Sequence, residues 1–233
     1  MKARYSACLL ILVTIAVEFS RGRSNPTSPV HMVPVPRARL CITEGALEEL
    51  EQSHLAVAVP KMRAFVAAAT PQTVEARLTY QGPTSGEARL GSGQMRRQFG
   101  LKLRAQDGCN LVYAMWRIEP ESRLVVSVKR NAGMNSSSEC GNRGYRNIKP
   151  RRSSPVPRLL PGDSHTLLAD MKGSVLSVSV DGRPVWEGDT GPEALSFDGP
   201  VGVRTDNGRF EFGIWVKELG VPIACHGADK GED

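Results

Sequence analysis

Residues 95–130, MRRQFGLKLRAQDGCNLVYAMWRIEPESRLVVSVKR, decide how the rest of the chain reads. Phe99, Leu101 and Leu103 alternate with Gln98, Lys102 and Arg104, the period of two that sends successive side chains to opposite faces of a β-strand. The same period runs through residues 110–119 and 123–130, and Pro120-Glu121-Ser122 between them is turn chemistry, so these two runs predict a hairpin. Because residues two apart share a face, the apolar set must turn inward: Phe99, Leu101 and Leu103, then Val112, Ala114, Trp116 and Ile118, then Leu124, Val126 and Val128. The reverse face then carries Gln98, Lys102 and Arg104, with Tyr113, Arg117 and Glu119, and with Ser127 and Lys129. Arg204 extends that face if the penultimate strand joins the same sheet.

Strands continue on both sides of this block. Residues 73–80 alternate Val74, Ala76, Leu78 and Tyr80 with polar neighbours. Residues 164–170, 174–180 and 185–187 are joined by Lys172-Gly173 and Asp181-Gly182, whose glycines accept the positive φ of primed hairpin turns. Residues 200–205 and 209–218 flank Asp206-Asn207-Gly208, the strongest hairpin signal of the chain. Residues 131–162 are dense in Gly, Pro and Ser and read as surface loop around one short strand near 145–149. TEGALEELEQ, residues 43–52, is the exception: Thr43 as N-cap with early acids predicts a short helix. About ten short strands without βαβ alternation or a fixed-period repeat predict an all-β fold. Its expected form is an antiparallel two-sheet jelly-roll sandwich with one short N-terminal helix.

The 233 residues are 40% hydrophobic and 6% aromatic, enough to build a core in one domain. No apolar run reaches the roughly 18 residues of a membrane-spanning helix, so no membrane span is expected. Lys2 and Arg4 ahead of an apolar stretch at 7–17, followed by Ser20-Arg21-Gly22, read as an export signal over residues 1–22 and place the protein in a secreted or extracytoplasmic setting. Residues 23–40, rich in Pro, Ser and Arg, read as a linker, 41–226 as the sandwich and 227–233 as a flexible tail. Losing Lys2, Arg4, Arg21 and Glu18 with the leader would take the net charge from +6 to +4. Cys41, Cys109, Cys140 and Cys225 would remain in an oxidising compartment, so two disulfides are expected. Of the three connectivities, Cys109 with Cys140 and Cys41 with Cys225 is preferred, because antiparallel neighbours pair locally and termini often lie close together.

The segments LSVSVDGRPVWEGD (176–189) and FDGPVGVRTDNGRFEFGIWVKEL (197–219) resemble the closing strands of concanavalin A-like jelly rolls, especially the laminin-G-like and 3-keto-disaccharide hydrolase type. Leu176–Gly182 stands where that family reads L-x-V-x-V-D/N-G, Gly199–Val203 where it reads G-P-V/I-G-V/L, and Phe210-Glu211-Phe212 where its last apolar strand begins. The resemblance implies a curved sandwich whose concave sheet often holds a carbohydrate, sometimes with calcium at the rim; fold alone licenses no activity.

One aromatic ring among cationic and amide groups suits a sugar or an anionic polysaccharide, the ring offering an apolar plate and the cations donors for hydroxyls and carboxylates. Gln98, Lys102, Arg104, Tyr113, Arg117, Glu119, Lys129 and Arg204 are therefore the candidate ligand-binding residues, and an ordinary solvated sheet face is the competing interpretation. A second basic cluster, Arg143, Arg146, Lys149, Arg151, Arg152 and Arg158, lies in loop sequence; for an exported chain an anionic polymer is a more natural partner than nucleic acid. The paired carboxylates of a retaining glucanase, written E-x-D-x-E or E-x-D-x-x-E, are missing from the sequence, as are nucleotide, dinucleotide and zinc-protease motifs. No catalytic residue and no cofactor is assigned; Asp181, Asp198, Asp206 and Asn207 could donate oxygens to calcium, although turn geometry explains them equally. The expectation is a secreted, non-catalytic glycan-binding or cell-surface module, with a divergent glycan hydrolase or lyase, or a structural envelope or matrix protein, as alternatives.

Overall fold

The computed structural model describes residues 31–51 and 53–225. The export signal, the start of the linker and the tail expected at 227–233 lie outside these residues. In chain order the first strands are β1 (Val33–Pro34), β2 (Leu40–Glu44), β3 (Glu48–Glu51), β4 (His54–Val57), β5 (Lys61–Val66), β6 (Thr73–Pro83), β7 (Arg97–Leu103) and β8 (Leu111–Glu119). There follow β9 (Arg123–Lys129), β10 (Tyr145–Asn147), β11 (Arg152–Ser153), β12 (Ser164–Lys172), β13 (Val175–Val180), β14 (Arg183–Asp189), β15 (Gly202–Asp206) and β16 (Gly208–Val216). A one-turn helix, α1 (Ser137–Cys140), sits between β9 and β10.

All pairing among the described residues is antiparallel and falls into two sheets packed as a sandwich. One runs β11-β14-β13-β12-β6-β16-β4-β3, with β1 on β16; the other, the seven-stranded sheet, runs β10-β9-β8-β7-β15-β5-β2. Apolar side chains of both meet between them: the Phe99 ring lies 5.2 Å from Phe210 and 5.4 Å from Phe212 of the opposite sheet. Val112, Ala114 and Trp116 on β8 are fully buried in this core, as their period of two requires. Truncating Trp116 would leave a void costing about 3–5 kcal/mol.

Three local expectations are corrected. Residues 43–51, the described part of that segment, form no helix: β2 pairs with β5 and β3 with β4, and Gly45 turns between β2 and β3 at φ +76°. Ten residues are too few to hold a helix against competing sheet contacts. Three glutamates on β3 instead charge an exposed sheet edge, which discourages pairing with another chain. Asp206-Asn207-Gly208 closes no hairpin within a sheet, because β15 belongs to the seven-stranded sheet and β16 to the other. Asn207, at φ +55°, carries the chain across, and its side-chain amide bonds Ala88 N, Ala88 O and Arg96 O. The end of the linker is also structured: Val33–Pro34 pairs with β16, and Val35 is fully buried.

Candidate functional site

The seven-stranded sheet turns one face away from the core, and its register decides what stands there. Lys102 lies opposite Tyr113, Tyr113 opposite Ser127 and Ser127 opposite Asn147, so one row of side chains crosses β7, β8, β9 and β10, and Lys129 opposite Tyr145 stands two residues further along β9 on the same face. A second row joins Gln98 to Arg117. On the far side Arg204 of β15 stands opposite Arg63 of β5. Gly100 lacks a side chain where a Cβ would strike the Met115 thioether, so Met115 lies flat beside Leu111 and Tyr113 as a small apolar floor.

Loops then raise walls around this face. Residues 84–96 bring Leu90, Gly91, Ser92 and Arg96, and the segment around α1 brings Ser137, Gly141 and Asn142. Gly91 packs against Asn142, a Cβ there lying 3.3 Å from the Asn142 Cβ, so the two loops meet at the rim. Ser136 and Glu139 cap α1 reciprocally, and Cys140 is paired with Cys109, their Cα atoms 5.9 Å apart. The enclosed cleft has a volume of about 360 Å³, within the range of small-ligand sites.

A buried carboxylate organises its cationic side. Asp206, with no exposed surface, accepts from Arg63 Nη2 at 2.6 Å, Gln98 Nε2 at 2.6 Å and Arg204 Nε at 2.9 Å. Burial alone would raise its pKa, but Arg204 and Arg63 hold it below the usual carboxylate range. Fixed in this way, Arg204 stacks over Tyr113 at 5.1 Å and donates to the Tyr145 hydroxyl at 3.2 Å. The Tyr113 and Tyr145 rings are stacked with centroids 6.0 Å apart, and Lys129 lies 5.2 Å from the Tyr145 ring while donating to Gly108 O at 3.0 Å. Arg204, Tyr113, Tyr145 and Lys129 thus form one column of two stacked rings between two cations, from which Tyr145 is 37% exposed.

Burial pushes Lys102 down to about 7, with Arg63 and Arg204 adding to the effect, and burial with Arg96 and Arg123 nearby pushes Arg117 down to about 10. Lys129 is also lowered, chiefly by burial, and Tyr113 is raised for the same reason. The face therefore concentrates positive charge where water is scarce.

Of the candidate residues, Gln98, Tyr113, Arg117, Lys129 and Arg204 line this one cleft. Lys102 is buried beside them on the same face. Arg104 turns aside at φ +48°, its guanidinium on Phe197 O at 2.9 Å and near Asp198 at 3.6 Å. Glu119 sits opposite Arg97 at a bulge in β7 and does not line the cleft. Four contributors escaped the sequence analysis: Arg63, Arg96, Tyr145 and Asp206. Arg63 had a signal, because Met62, Ala64 and Val66 alternate with Lys61, Arg63 and Phe65; Arg96 had none, since a loop decides its position. The second basic cluster is dispersed and partly neutralised, Arg146 pairing with Glu193 at 2.9 Å and Arg151 with Asp189 at 3.0 Å.

The oxygens considered for calcium are engaged elsewhere or far apart. Asp206 holds two arginines, Asn207 holds backbone, and Asp181 accepts from His165 at 2.6 Å and from Thr166 N at 2.9 Å. Among the described residues no group of three or more His, Cys, Asp or Glu side chains is placed to hold a metal ion. Cys41 and Cys225 also lie at disulfide distance, with Cα atoms 5.5 Å apart.

No protein-family model matches the chain, and no curated protein matches it. Solved structures do share its fold. Carbohydrate-binding module CBM66 of Bacillus subtilis is 13% identical with a TM-score of 0.51 over 78% of this chain and 93% of that one. The metal-free carbohydrate recognition domain of Emp46p is 9% identical with a TM-score of 0.49 over 78% and 89%. The fold is a concanavalin A-like sandwich.

Proposed function

We propose that this concanavalin A-like sandwich is an exported, non-catalytic carbohydrate-binding module whose ligand occupies the cleft on the seven-stranded sheet. The observation that carries the proposal is the Arg204-Tyr113-Tyr145-Lys129 column. A half-exposed tyrosine ring held rigid from behind offers a plate for the apolar face of a sugar, and the cations and amides around it offer donors for hydroxyls. The B. subtilis structure of like fold is, by its name, a carbohydrate-binding module, which is compatible with this use of the fold.

Binding without turnover is favoured by the carboxylates available. Glycoside hydrolysis on this kind of face uses two of them, one acting as acid. Here Glu44 is the carboxylate among the lining residues, and Asp206 behind the wall is locked between two arginines and held ionised. Export accords with two cysteine pairs at disulfide distance and with the leader-like N-terminus.

The test is a glycan array, followed by calorimetry on each retained oligosaccharide with the wild type and Tyr145→Ala. Retention on the array with at least about tenfold weaker binding by the variant is expected, since a stacked ring contributes on the order of 1–2 kcal/mol. Reducing-sugar release, or unsaturated product absorbing near 235 nm, would overturn the non-catalytic assignment. Absence of any glycan binding would overturn the function.

A further inference from the structure

The cations of the cleft are not equivalent. Arg63 and Arg204 share Asp206, with Glu44 a further 3.7 Å from Arg63, and Lys129 is satisfied by Gly108 O and the Tyr145 ring. Arg117 is different: only 9% exposed, it leaves its Nε without a hydrogen-bond partner, and among the described residues no carboxylate comes within ion-pair distance of it. Arg96, on the loop above, likewise meets no carboxylate among the described residues, and the two guanidinium groups repel each other across the same end of the cleft. Six cations and one carboxylate line the cleft, so that even with Asp206 counted behind the wall four positive charges stand in excess. A buried, unpaired cation is costly unless an opposite charge arrives to pair with it.

We infer that the glycan is acidic, and that the Arg117 and Arg96 end of the cleft receives its carboxylate or sulfate group while the Tyr145 plate holds the ring. This inference rests on the glycan-binding function proposed above. A planar carboxylate or a sulfate ester suits guanidinium groups, which can present two parallel N–H donors. Arg117 is the group left with donors free; Arg63 and Arg204 are already held by Asp206.

The experiment titrates the whole protein by calorimetry with a trigalacturonate, with its fully methyl-esterified form, and with a sulfated galactose trisaccharide beside its unsulfated parent. Arg117→Met and Arg96→Gln are titrated in parallel, and each variant is melted thermally. The acidic sugars should bind at least about tenfold more tightly than their neutral counterparts, and Arg117→Met should remove most of that preference while leaving the melting temperature unchanged or raised. Arg96→Gln, being on a partly exposed loop, supplies the same reading should Arg117→Met fail to fold. Whichever acid-neutral pair is discriminated identifies the group as carboxylate or sulfate. Equal binding of the acidic and neutral sugars, or an acid preference untouched by both substitutions, would overturn the inference and leave glycan binding standing. No binding of any sugar, or tighter binding of a short oligothymidylate, would overturn the function and the inference together.

Discussion

Asp206 has no contact with solvent, yet both of its oxygens are taken up, by Arg63 on one side and by Gln98 and Arg204 on the other. Asp206→Asn should therefore leave two buried guanidinium groups short of a counter-charge and cost about 3–5 kcal/mol in urea unfolding, more than a surface acid would. Because its folded pKa is depressed, its stabilisation is present above the unfolded carboxylate value and is lost as pH falls through that range. Wild-type stability should thus drop more steeply than that of Asp206→Asn on acidification. Lys102 carries the opposite dependence. Buried and surrounded by Arg63, Arg204 and Lys129 with only Glu44 opposing them, it titrates at about 7. The unfolded chain binds its proton more readily between that pH and about 10.5, so the penalty is full below about 7 and fades as pH rises. Lys102→Met should raise the unfolding free energy at pH 6, with the difference vanishing near pH 10.5; an equal gain at both would refute the buried, lowered lysine.

At the scale of elements, the walls matter more than the floor. The segment between β9 and β10 carries α1 and reaches the Gly91 rim, and the Cys109–Cys140 pair ties it to the start of β8. Replacing both cysteines by serine lifts a constraint across a sequence separation of 31 and should cost about 3–4 kcal/mol on the chain-entropy estimate. Glycan affinity should fall with it, as read by calorimetry beside urea unfolding. Gly45→Ala should lower the melting temperature, since φ is +76° and the new Cβ would strike the carbonyl of Lys61 at the start of β5. Strand parity made the floor legible in sequence: Tyr113, Arg117 and Lys129 stand where alternation with Trp116 and Val128 puts them. Residues 43–52 and the Asp206-Asn207-Gly208 turn misled, because helix propensity and turn chemistry are local, whereas the choice of sheet partner is not. Tyr145 was hidden for the same reason, since the partner of its three-residue strand β10 is set by the sheet, and Arg96 because loop conformation, not periodicity, brings it over the face.

For the molecule as a whole, a sandwich of this kind leaves two outer sheet faces, and they differ in character. The seven-stranded sheet is walled, basic and aromatic. The other carries a shallower depression bearing Arg77 stacked on Trp215 at 4.1 Å, with His54, Glu211 and the His165–Asp181 pair around it. All three tryptophans lie away from the walled cleft, so binding there should leave tryptophan fluorescence nearly unchanged even at saturation. The direct measurement is an NMR titration of the labelled protein with the tightest oligosaccharide from the array. Chemical-shift changes should centre on Gln98, Tyr113, Arg117, Tyr145 and Arg204, whereas changes centred on Arg77 and Trp215 would contradict the assignment of the cleft as the ligand site.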